Sequence, residues 1–428
     1  MKVEFCLRLA TVLANELNMI LGENRMTLYQ QLRSEMENHR GFWNYYDMKF
    51  EDVFQNEGAA SDFIYNYFQR GSKLYTLDTW INSQNEHLEI RNVHTVNVFF
   101  IGAFLQRTID EDIAIRSEVS LCYPFSYIWY LLCLAHDLGY VYENYSEVYL
   151  ELPSQKDYYN YNCNAMHFWK FLTRKIWYQD HGIDIAYIHP SFGVRSKVAY
   201  YNRNATGKLE DTIKYNNGTI IKRPRYSKET KNNYFYYRLW KMGKLDHGIV
   251  GADEFFSRMI VNYVKEYRKM ATDNFFRGDI YEFYNQQGLH FCIEQIKLFA
   301  YIADCIAAHN MYKAEDDDCC KERYKYYSLN CLLPDKFQLI SYRDNPLLFI
   351  LCVADTIEPS KRFPNYCSKD ILNLISINYN VNTNLLHVGI DEEIYDSDAG
   401  HKYVADIEGL AEWCDIRTNV TSQRVINY

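Results

Sequence analysis

The stretch Leu131-Leu132-Cys133-Leu134-Ala135-His136-Asp137-Leu138-Gly139-Tyr140 places a histidine and an aspartate at the polar end of an apolar run. A run of this kind, followed closely by a glycine, is typical of a buried helix that ends there. The pattern predicts that His136 and Asp137 lie where this helix reaches a cavity. A neutral imidazole and a carboxylate are both good ligands for divalent cations, so the pair is a candidate metal site.

Four further ligand-type side chains occur in order along the chain, each on its own apolar, helix-like segment. They are His94 in the stretch 91–105, His247 in 245–252, His309 at the end of 302–310, and Asp355 in 348–359. A lone histidine on an apolar face is more often a core residue than a ligand, but the ordered set favours a shared metal site. The remaining histidines keep the structural interpretation, and these are His39, His87, His167, His181, His189, His290, His387 and His401.

The order of these ligands resembles that of the HD superfamily of metal-dependent phosphohydrolases. The stretch Ala354-Asp355-Thr356-Ile357-Glu358-Pro359 is similar to the end of the HD core in diadenosine-polyphosphate hydrolases. The resemblance covers motif segments from about residue 86 to about residue 365 and leaves out the N-terminal region, a central insertion and the C-terminal tail. It implies a mainly α fold built on an HD/PDEase-type helical core.

The resemblance also implies how the ligands divide between one or two cations. The first cation would be held by His94, His136, Asp137 and Asp355. Asp137 has two oxygens and could bridge to a second cation held by His247 and His309, as in dinuclear members, although Asn310 stands where some of those members have another histidine. Mixed imidazole and carboxylate ligands suit Mn, Fe, Co, Ni or Zn and are less selective for Mg. The absence of thiolate ligands argues against a structural zinc.

Charged residues near the ligand segments are candidates for substrate binding and for catalysis. The candidate phosphate-binding residues are Arg91, Arg223, Arg225, Lys361 and Arg362. For Lys361 and Arg362, a solvated basic turn is an equal alternative. Asp246 and Glu358 are acids beside the ligands and, together with Asp137, are the candidate catalytic residues, because they could order metal-bound water.

A basic insertion interrupts the expected core. The segment from His136-Asp137 to His247 is longer than the family needs, so much of 145–243 is an insertion. From Arg195 to Lys244 it holds thirteen Lys or Arg residues and three acids, in a chain of net charge −9. Asn216-Asn217-Gly218-Thr219 predicts a β-hairpin between flanking strands. The insertion could clamp a polyphosphate, or it could be a solvated hairpin or an oligomer contact.

The expected fold is mainly α, with a Tyr-rich, partly β insertion and a small α+β tail. The expected regions are an N-terminal helical region (1–85), the phosphohydrolase core (86–370, with the insertion at about 145–243) and a C-terminal α+β appendage (371–428). Helices are predicted at 164–177, 253–271, 288–308, 346–357 and 403–413, a charged loop at 314–324, and strands at 386–390 and 419–426.

Composition excludes several classes of protein. A chain of 428 residues that is 48% hydrophobic and 17% aromatic is not disordered. Twelve cysteines without a C-x-x-C pair, several of them inside apolar runs, favour a reducing, cytoplasmic compartment. No apolar stretch is long enough to span a bilayer, so no membrane partner is expected. The acidic net charge disfavours nucleic-acid binding except through the basic insertion, and the aromatic N-terminal region is compatible with a homo-oligomer.

We therefore expect a metal-dependent phosphohydrolase that uses metal-activated water on a small nucleotide. Nucleoside or deoxynucleoside triphosphates and dinucleoside polyphosphates fit the Ile357-Glu358-Pro359 ending and the compact basic insertion best. A cyclic-dinucleotide phosphodiesterase and a single-strand nuclease are alternative enzymes, although a nuclease should carry a continuous basic track. The alternative of another class is a regulatory module that senses nucleotides with an HD site.

Overall fold

The computed structural model describes residues 26–38, 52–71, 88–109, 114–116, 122–137, 139–140, 212–215, 220–222, 225–226, 228–242, 246–249, 251–252, 255 and 293–423. This part of the chain is mostly helical, as the sequence predicts, and also holds two small sheets. Its helices are α1 (Leu28–Asn38), α2 (Glu57–Gly71), α3 (Leu88–Ile109), α4 (Phe125–His136), α5 (Lys228–Met242), α6 (Ile293–Ala308), α7 (Asp318–Tyr326), α8 (Pro346–Ile357), α9 (Ser368–Asn373), α10 (Glu392–Tyr395) and α11 (Asp398–Gly409). Its strands are β1 (Ala114–Arg116), β2 (Cys122–Pro124), β3 (Thr212–Tyr215), β4 (Ile220–Lys222), β5 (Ile375–Asn380), β6 (Leu385–Asp391) and β7 (Arg417–Gln423).

Helix α3 is the centre of the helical core. It packs against α1, α2, α4 and α8, and α6 in turn contacts both α4 and α8. The close approach of α3 and α4 depends on Gly102, because a Cβ there would overlap the indole ring of Trp129. The indole N–H of Trp129 donates to the carbonyl oxygen of Phe99 at 2.8 Å, so this buried polar group is satisfied. Close packing of α3, α4, α6 and α8 therefore brings side chains from different helices near one another.

Helix α8 has the bounds that the sequence predicts. Pro346 stands at its first turn, where a missing N–H costs nothing, and Pro359 follows its end. Ten of its twelve residues are buried, including Cys352, so the helix is surrounded by protein on nearly all sides. Burial of such an apolar helix stabilises the core by removing its surface from water. Asp355 is one of the two residues on it that are not buried.

The predicted β-hairpin is confirmed. Strands β3 and β4 pair antiparallel, with Ile213 opposite Ile221. They join β1 and β2 in a sheet of order β2-β1-β3-β4. The hairpin of β3 and β4 therefore shares a sheet with the chain segment that leads directly into α4, rather than standing on its own.

The C-terminal appendage contains a three-stranded sheet of order β5-β6-β7. Strands β5 and β6 are antiparallel, whereas β6 and β7 are parallel and are connected through α10 and α11. The predicted strands at 386–390 and 419–426 correspond to β6 and to most of β7. The predicted helix at 403–413 begins earlier, because the side chain of Ser397 accepts a hydrogen bond from Gly400 N and caps α11; residues Leu410–Glu412 form a 3-10 turn.

The predicted loop at 314–324 is wrong from residue 318 onward. Helix α7 begins there, and the side chain of Asp317 accepts a hydrogen bond from Cys320 N as its N-cap. Tyr324 is the buried residue of this helix, and its ring lies 4.6 Å from that of Tyr237. The N-cap and the burial of Tyr324 thus stabilise a helix in a charged segment that shows no apolar periodicity.

Several predictions fall outside the described residues. They include the helix at 164–177, nearly all of the helix at 253–271, the first residues of the helix at 288–308 and the whole of residues 1–25. Among the helices that the structure describes, none is both long enough and apolar enough to cross a membrane.

Candidate metal centre

Five segments bring the six sequence-predicted ligands together. His94 comes from the middle of α3, His136 ends α4 and Asp137 follows it, His309 follows the end of α6, and Asp355 lies on α8. His247 is at the start of a short helical segment. All are buried except Asp355, whose side chain is 25% exposed. The packing of α3, α4, α6 and α8 thus concentrates imidazoles and carboxylates in one place.

The first ligand group consists of His94, His136 and Asp355. Nε2 of His94 lies 3.0 Å from Oδ1 of Asp355 and 3.1 Å from Nε2 of His136. Nε2 of His136 is 3.8 Å from the same aspartate oxygen. Ligand atoms that bind one ion at about 2.0–2.2 Å are spaced about 3 Å apart or slightly more. These three atoms therefore have the spacing of ligands to a single cation.

The second ligand group consists of Asp137, His247 and His309, whose ligand atoms lie within 4.8 Å of one another. Asp137 also approaches the first group, because its oxygens are 3.5 Å from Nε2 of His94 and 3.5 Å from Nε2 of His136. The ring of Tyr140 stacks on that of His247 with centroids 3.8 Å apart. Asp137 is thus placed between the two groups, as a bridging carboxylate requires.

Hydrogen bonds behind three of the histidines orient their rings. Nδ1–H of His94 donates to Oε2 of Glu358 at 2.6 Å. Nδ1–H of His136 donates to the carbonyl oxygen of Cys133 at 2.6 Å, and Nδ1–H of His309 donates to that of Ile306 at 2.5 Å. Each bond selects the tautomer with an unprotonated Nε2, which is the ligand form. Nε2 of His309 is buried and has no hydrogen-bond partner among the described residues, which fits an atom that awaits a cation.

Burial and charge shift the pKa values of these groups in opposite directions. Burial and the Lys361 ammonium oppose protonation of His94, but Glu358 and Asp355 outweigh them and raise its pKa to about 9. Burial lowers the pKa of His309 to about 3, and His247 adds to that effect. Burial opposes the charged form of Asp355, yet Lys361 and His94 hold its pKa well below the usual range. The charges of neighbouring groups therefore determine the protonation of this site as much as burial does.

Glu358 lies directly behind the first group. Its Oε2 accepts from His94, and its Oε1 accepts from Nδ2 of Asn97 at 2.7 Å and from the backbone N of Ser360 at 2.9 Å. Oε2 of Glu358 therefore orients the candidate ligand His94, and Oε1 fixes Asn97 and the turn at Ser360. These contacts favour a positioning role over the predicted ordering of metal-bound water. Asn97 was not identified from the sequence, although it lies one helical turn after His94 on the same face.

Asp246 lies behind the second group in a similar way. Its Oδ1 accepts from Ile249 N at 2.9 Å, which caps the helical segment that carries His247. Its Oδ2 accepts from Nδ2 of Asn310 at 2.7 Å and is 3.3 Å from Nε of Arg238. Burial raises the pKa of Asp246. These contacts again favour a positioning role, and Asn310 contributes to it through its side chain.

Gly139 allows the two halves of the second group to meet. A Cβ at this position would overlap the carbonyl oxygen of His247 and would lie 2.7 Å from the backbone N of Gly251. Any larger residue would push the segment of His247 away from Asp137. The glycine that follows the His-Asp pair is thus required by a close backbone approach.

The predicted substrate residues have different positions. The ammonium group of Lys361 lies 3.0 Å from Oδ2 of Asp137 and 3.3 Å from Oδ1 of Asp355, at the ligand groups. Arg362 lies beside it, but its guanidinium is paired with Asp406. Arg225 contacts the carbonyl oxygen of Gln338 and the ring of Phe337. The side chain of Arg91 and all of Arg223 lie outside the described part of the structure.

A cavity of about 450 Å³ lies beside Asp355, which is the one of the six candidate ligands that lines it. One part of its lining is formed by Asp355, Glu358 and Lys361. The other part comes from residues that the sequence pattern did not associate with the site, namely Tyr312, Lys313, Glu315, Asp406, Gly409, Glu412 and Trp413. No local signal could have found these residues, because they belong to a loop and to the appendage.

The ligands, their tautomers and the charge of the site fit one or two divalent cations. Comparison with protein-family models, with curated proteins and with solved structures found no match.

Proposed function

We propose that the chain is a metal-dependent phosphohydrolase with an HD-type helical core, acting on small nucleotides. The observation that carries this proposal is the convergence of three histidine and aspartate side chains in each of two adjacent ligand groups. The order of the ligands along the chain, which resembles the HD superfamily, supports the same assignment. A cavity of about 450 Å³ beside the ligands has room for a small-molecule substrate.

Bound cations would supply water of lowered pKa and would neutralise charge on phosphoryl oxygens. The residues of the chain hold this arrangement in place. Glu358 orients His94 and increases its basicity, and Asp246 fixes the start of the segment that carries His247. Asp137 is positioned to contact both cations, since it belongs to one group and approaches the other.

Lys361 is the residue of this site that fits a phosphate oxygen best. Burial opposes its charge, but Asp137 and Asp355 outweigh burial and raise its pKa above the usual value, so it is an ammonium ion at neutral pH. Its side chain is 34% exposed and lines the cavity, so a substrate can reach it. Neutralisation of a phosphate oxygen at this position would stabilise the charge that develops during phosphoryl transfer.

The proposed reaction is a hydrolysis. The oxygen of water forms a bond to phosphorus, and the bond from phosphorus to the leaving oxygen breaks. The leaving oxygen retains the electron pair of that bond, and the two protons of water end on the products or in solvent. A phosphoanhydride or a phosphoester of a nucleotide meets these requirements, and no redox partner is needed.

The test is a metal titration against a panel of substrates. Purified protein is incubated with Mn²⁺ or Co²⁺ and with nucleoside mono- and triphosphates, a dinucleoside polyphosphate, a cyclic dinucleotide and a single-stranded oligonucleotide. We expect metal-dependent release of phosphate, pyrophosphate or triphosphate from mononucleotides or cleavage of the dinucleoside polyphosphate. His136→Ala should abolish this release, whereas His401→Ala, at an exposed position on α11, should not change it.

Other outcomes favour other functions. Cleavage of the oligonucleotide alone would favour a single-strand nuclease, and cleavage of the cyclic dinucleotide alone would favour a phosphodiesterase. Tight nucleotide binding without turnover under any metal would favour a regulatory nucleotide sensor. Turnover that survives in His136→Ala would contradict the proposed use of this centre.

A further inference from the structure

We infer that the C-terminal appendage forms a nucleoside-binding subsite beside the metal centre. The subsite is the part of the cavity lined by Tyr312, Trp413, Asp406 and Glu412. This inference rests on the proposed function, which sets the orientation of a bound nucleotide. Its phosphate would lie toward Asp355 and its nucleoside toward Trp413.

An aromatic pair supplies the stacking surface. The rings of Tyr312 and Trp413 are 5.8 Å apart and meet edge to face. Both rings line the cavity and are accessible from it, since Tyr312 is 43% exposed and Trp413 is only partly buried. Flat aromatic faces beside a phosphate site suit a nucleobase, because stacking on such rings stabilises any base. A sugar phosphate or a free phosphate chain would leave these faces without a partner.

The charges of this wall favour a nucleoside over further phosphate groups. Lys313 is 3.7 Å from Glu412, and the guanidinium of Arg362 donates to Asp406 at 2.6 Å. Both cations of the wall are therefore already paired with carboxylates. A phosphate chain would need a cation such as Lys361, whose carboxylate partners Asp137 and Asp355 are the proposed metal ligands and would be shared with a bound cation. Carboxylates such as Glu412, which is 73% exposed, can instead accept hydrogen bonds from ribose hydroxyls or base amino groups.

The wall is held rigidly against the metal-bearing helix α8. The hydroxyl of Tyr403 on α11 donates to the carbonyl oxygen of Ile357 at the end of α8. Arg362 ties Asp406 to the turn after α8. At the other end of the wall, Ile340 N donates to the carbonyl oxygen of Trp413 at 2.9 Å. A subsite fixed at both ends is preorganised, which lowers the cost of ordering it around a ligand.

Titration calorimetry measures binding of adenosine, guanosine, cytidine and uridine to the full chain. It also compares adenosine 5′-monophosphate with ribose 5-phosphate, which lacks the base. We expect Trp413→Ala and Tyr312→Ala to weaken nucleoside binding about tenfold or more, as loss of a stacking face does. Trp413→Phe should restore most of it. Tyr326→Ala is the matched control, because Tyr326 is 56% exposed on α7 and does not line the cavity.

The same variants then separate this inference from the proposed function. With active enzyme, Trp413→Ala should raise KM for nucleotides about tenfold and leave kcat and binding of Mn²⁺ unchanged. If Trp413→Ala does not fold, Tyr312→Ala and Glu412→Gln carry the test, since both residues are substantially exposed.

Nucleoside binding that depends on Trp413 or Tyr312, but without hydrolysis of any nucleotide, would support the subsite and contradict the proposed function. Hydrolysis of nucleotides with unchanged KM in both aromatic variants would support the proposed function and overturn the subsite. Ribose 5-phosphate binding as tightly as adenosine 5′-monophosphate, or no nucleoside binding at all, would also overturn it.

Discussion

The two ligand groups lie side by side, but different partners support their histidines. In the group of His94, His136 and Asp355, the buried carboxylate of Glu358 accepts from His94 and, against the effect of burial, helps raise its pKa to about 9. In the group of Asp137, His247 and His309, a backbone carbonyl stands behind His309, and burial lowers its pKa to about 3. His94 and His309 thus differ in basicity, whereas His136 of the first group resembles His309, because it too donates to a backbone carbonyl and burial lowers its pKa.

This difference has a consequence for metal binding. A carboxylate behind a ligating histidine increases its basicity and strengthens its bond to a cation. The first group also contains Asp355 and lies near Asp137, so negative charge is concentrated there. We therefore expect two steps of Mn²⁺ binding, the tighter one at the first group, and calorimetric titration of the metal-free protein would resolve them.

The largest expected effect is that of Asp137→Ala, which removes the carboxylate shared by the two groups. We expect both Mn²⁺ binding steps to weaken and turnover to fall by more than about 100-fold, because loss of a ligand should cost more than loss of a group that only orients a ligand. Calorimetry and phosphate release measure the two quantities. Asp396→Ala, at an exposed position, is the control. Two binding steps of unchanged affinity in Asp137→Ala would show that the two groups do not share this carboxylate.

A large effect on stability is expected at the ion pair between Lys231 of α5 and Asp304 of α6. Both residues are buried, and α6 leads directly to His309. We expect Lys231→Ala to lower the free energy of unfolding by about 3–5 kcal/mol, because it leaves a buried carboxylate without its cation. Urea denaturation measures this change.

The double variant Lys231→Met/Asp304→Leu provides the control for that prediction. Because it removes both charges and keeps their volume, it should recover most of the lost stability. An equally large loss in the double variant would show that packing around α5, rather than charge, determines the effect.

A smaller effect is expected for Glu358→Gln, which exchanges the carboxylate behind His94 for an amide. We expect the tighter Mn²⁺ affinity to fall about 10–100-fold, as for other losses of a group that orients a ligating histidine, with the weaker step nearly unchanged. Metal titration followed by calorimetry measures both steps. Glu392→Gln, at an exposed position at the start of α10, should alter neither step. An equal fall in both steps would mean that Glu358 does not act on the first group alone.

The smallest effect is expected for Asp246→Ala, which removes the cap of the segment that carries His247. We expect a loss of about 0.5–2 kcal/mol in the free energy of unfolding, the range for an N-cap. The weaker Mn²⁺ step should be affected more than the tighter one, because Asp246 contacts Ile249 and Asn310, which lie next to His247 and His309 of the second group. A selective loss of the tighter step would contradict this division.

Much of the fold could be predicted from local patterns. Helix α8 and the hairpin of β3 and β4 have strong signals, because a continuous apolar run after Pro346 and an Asn-Gly turn each favour one local structure. Helix α7 was missed, because its one buried residue, Tyr324, shows no periodicity in the sequence. Its stability depends on packing against Tyr237, which lies far away in the chain.

The sequence by itself determined which side chains could act as ligands, since only a few residue types bind cations and each of the six lies at the end or on the face of an apolar segment. The contacts of Glu358 with His94 and of Asp246 with Ile249, and the position of Trp413 in the same cavity as Asp355, followed only from the tertiary structure. The physical reason is that these relations depend on contacts between residues distant along the chain. Local periodicity carries no information about such contacts.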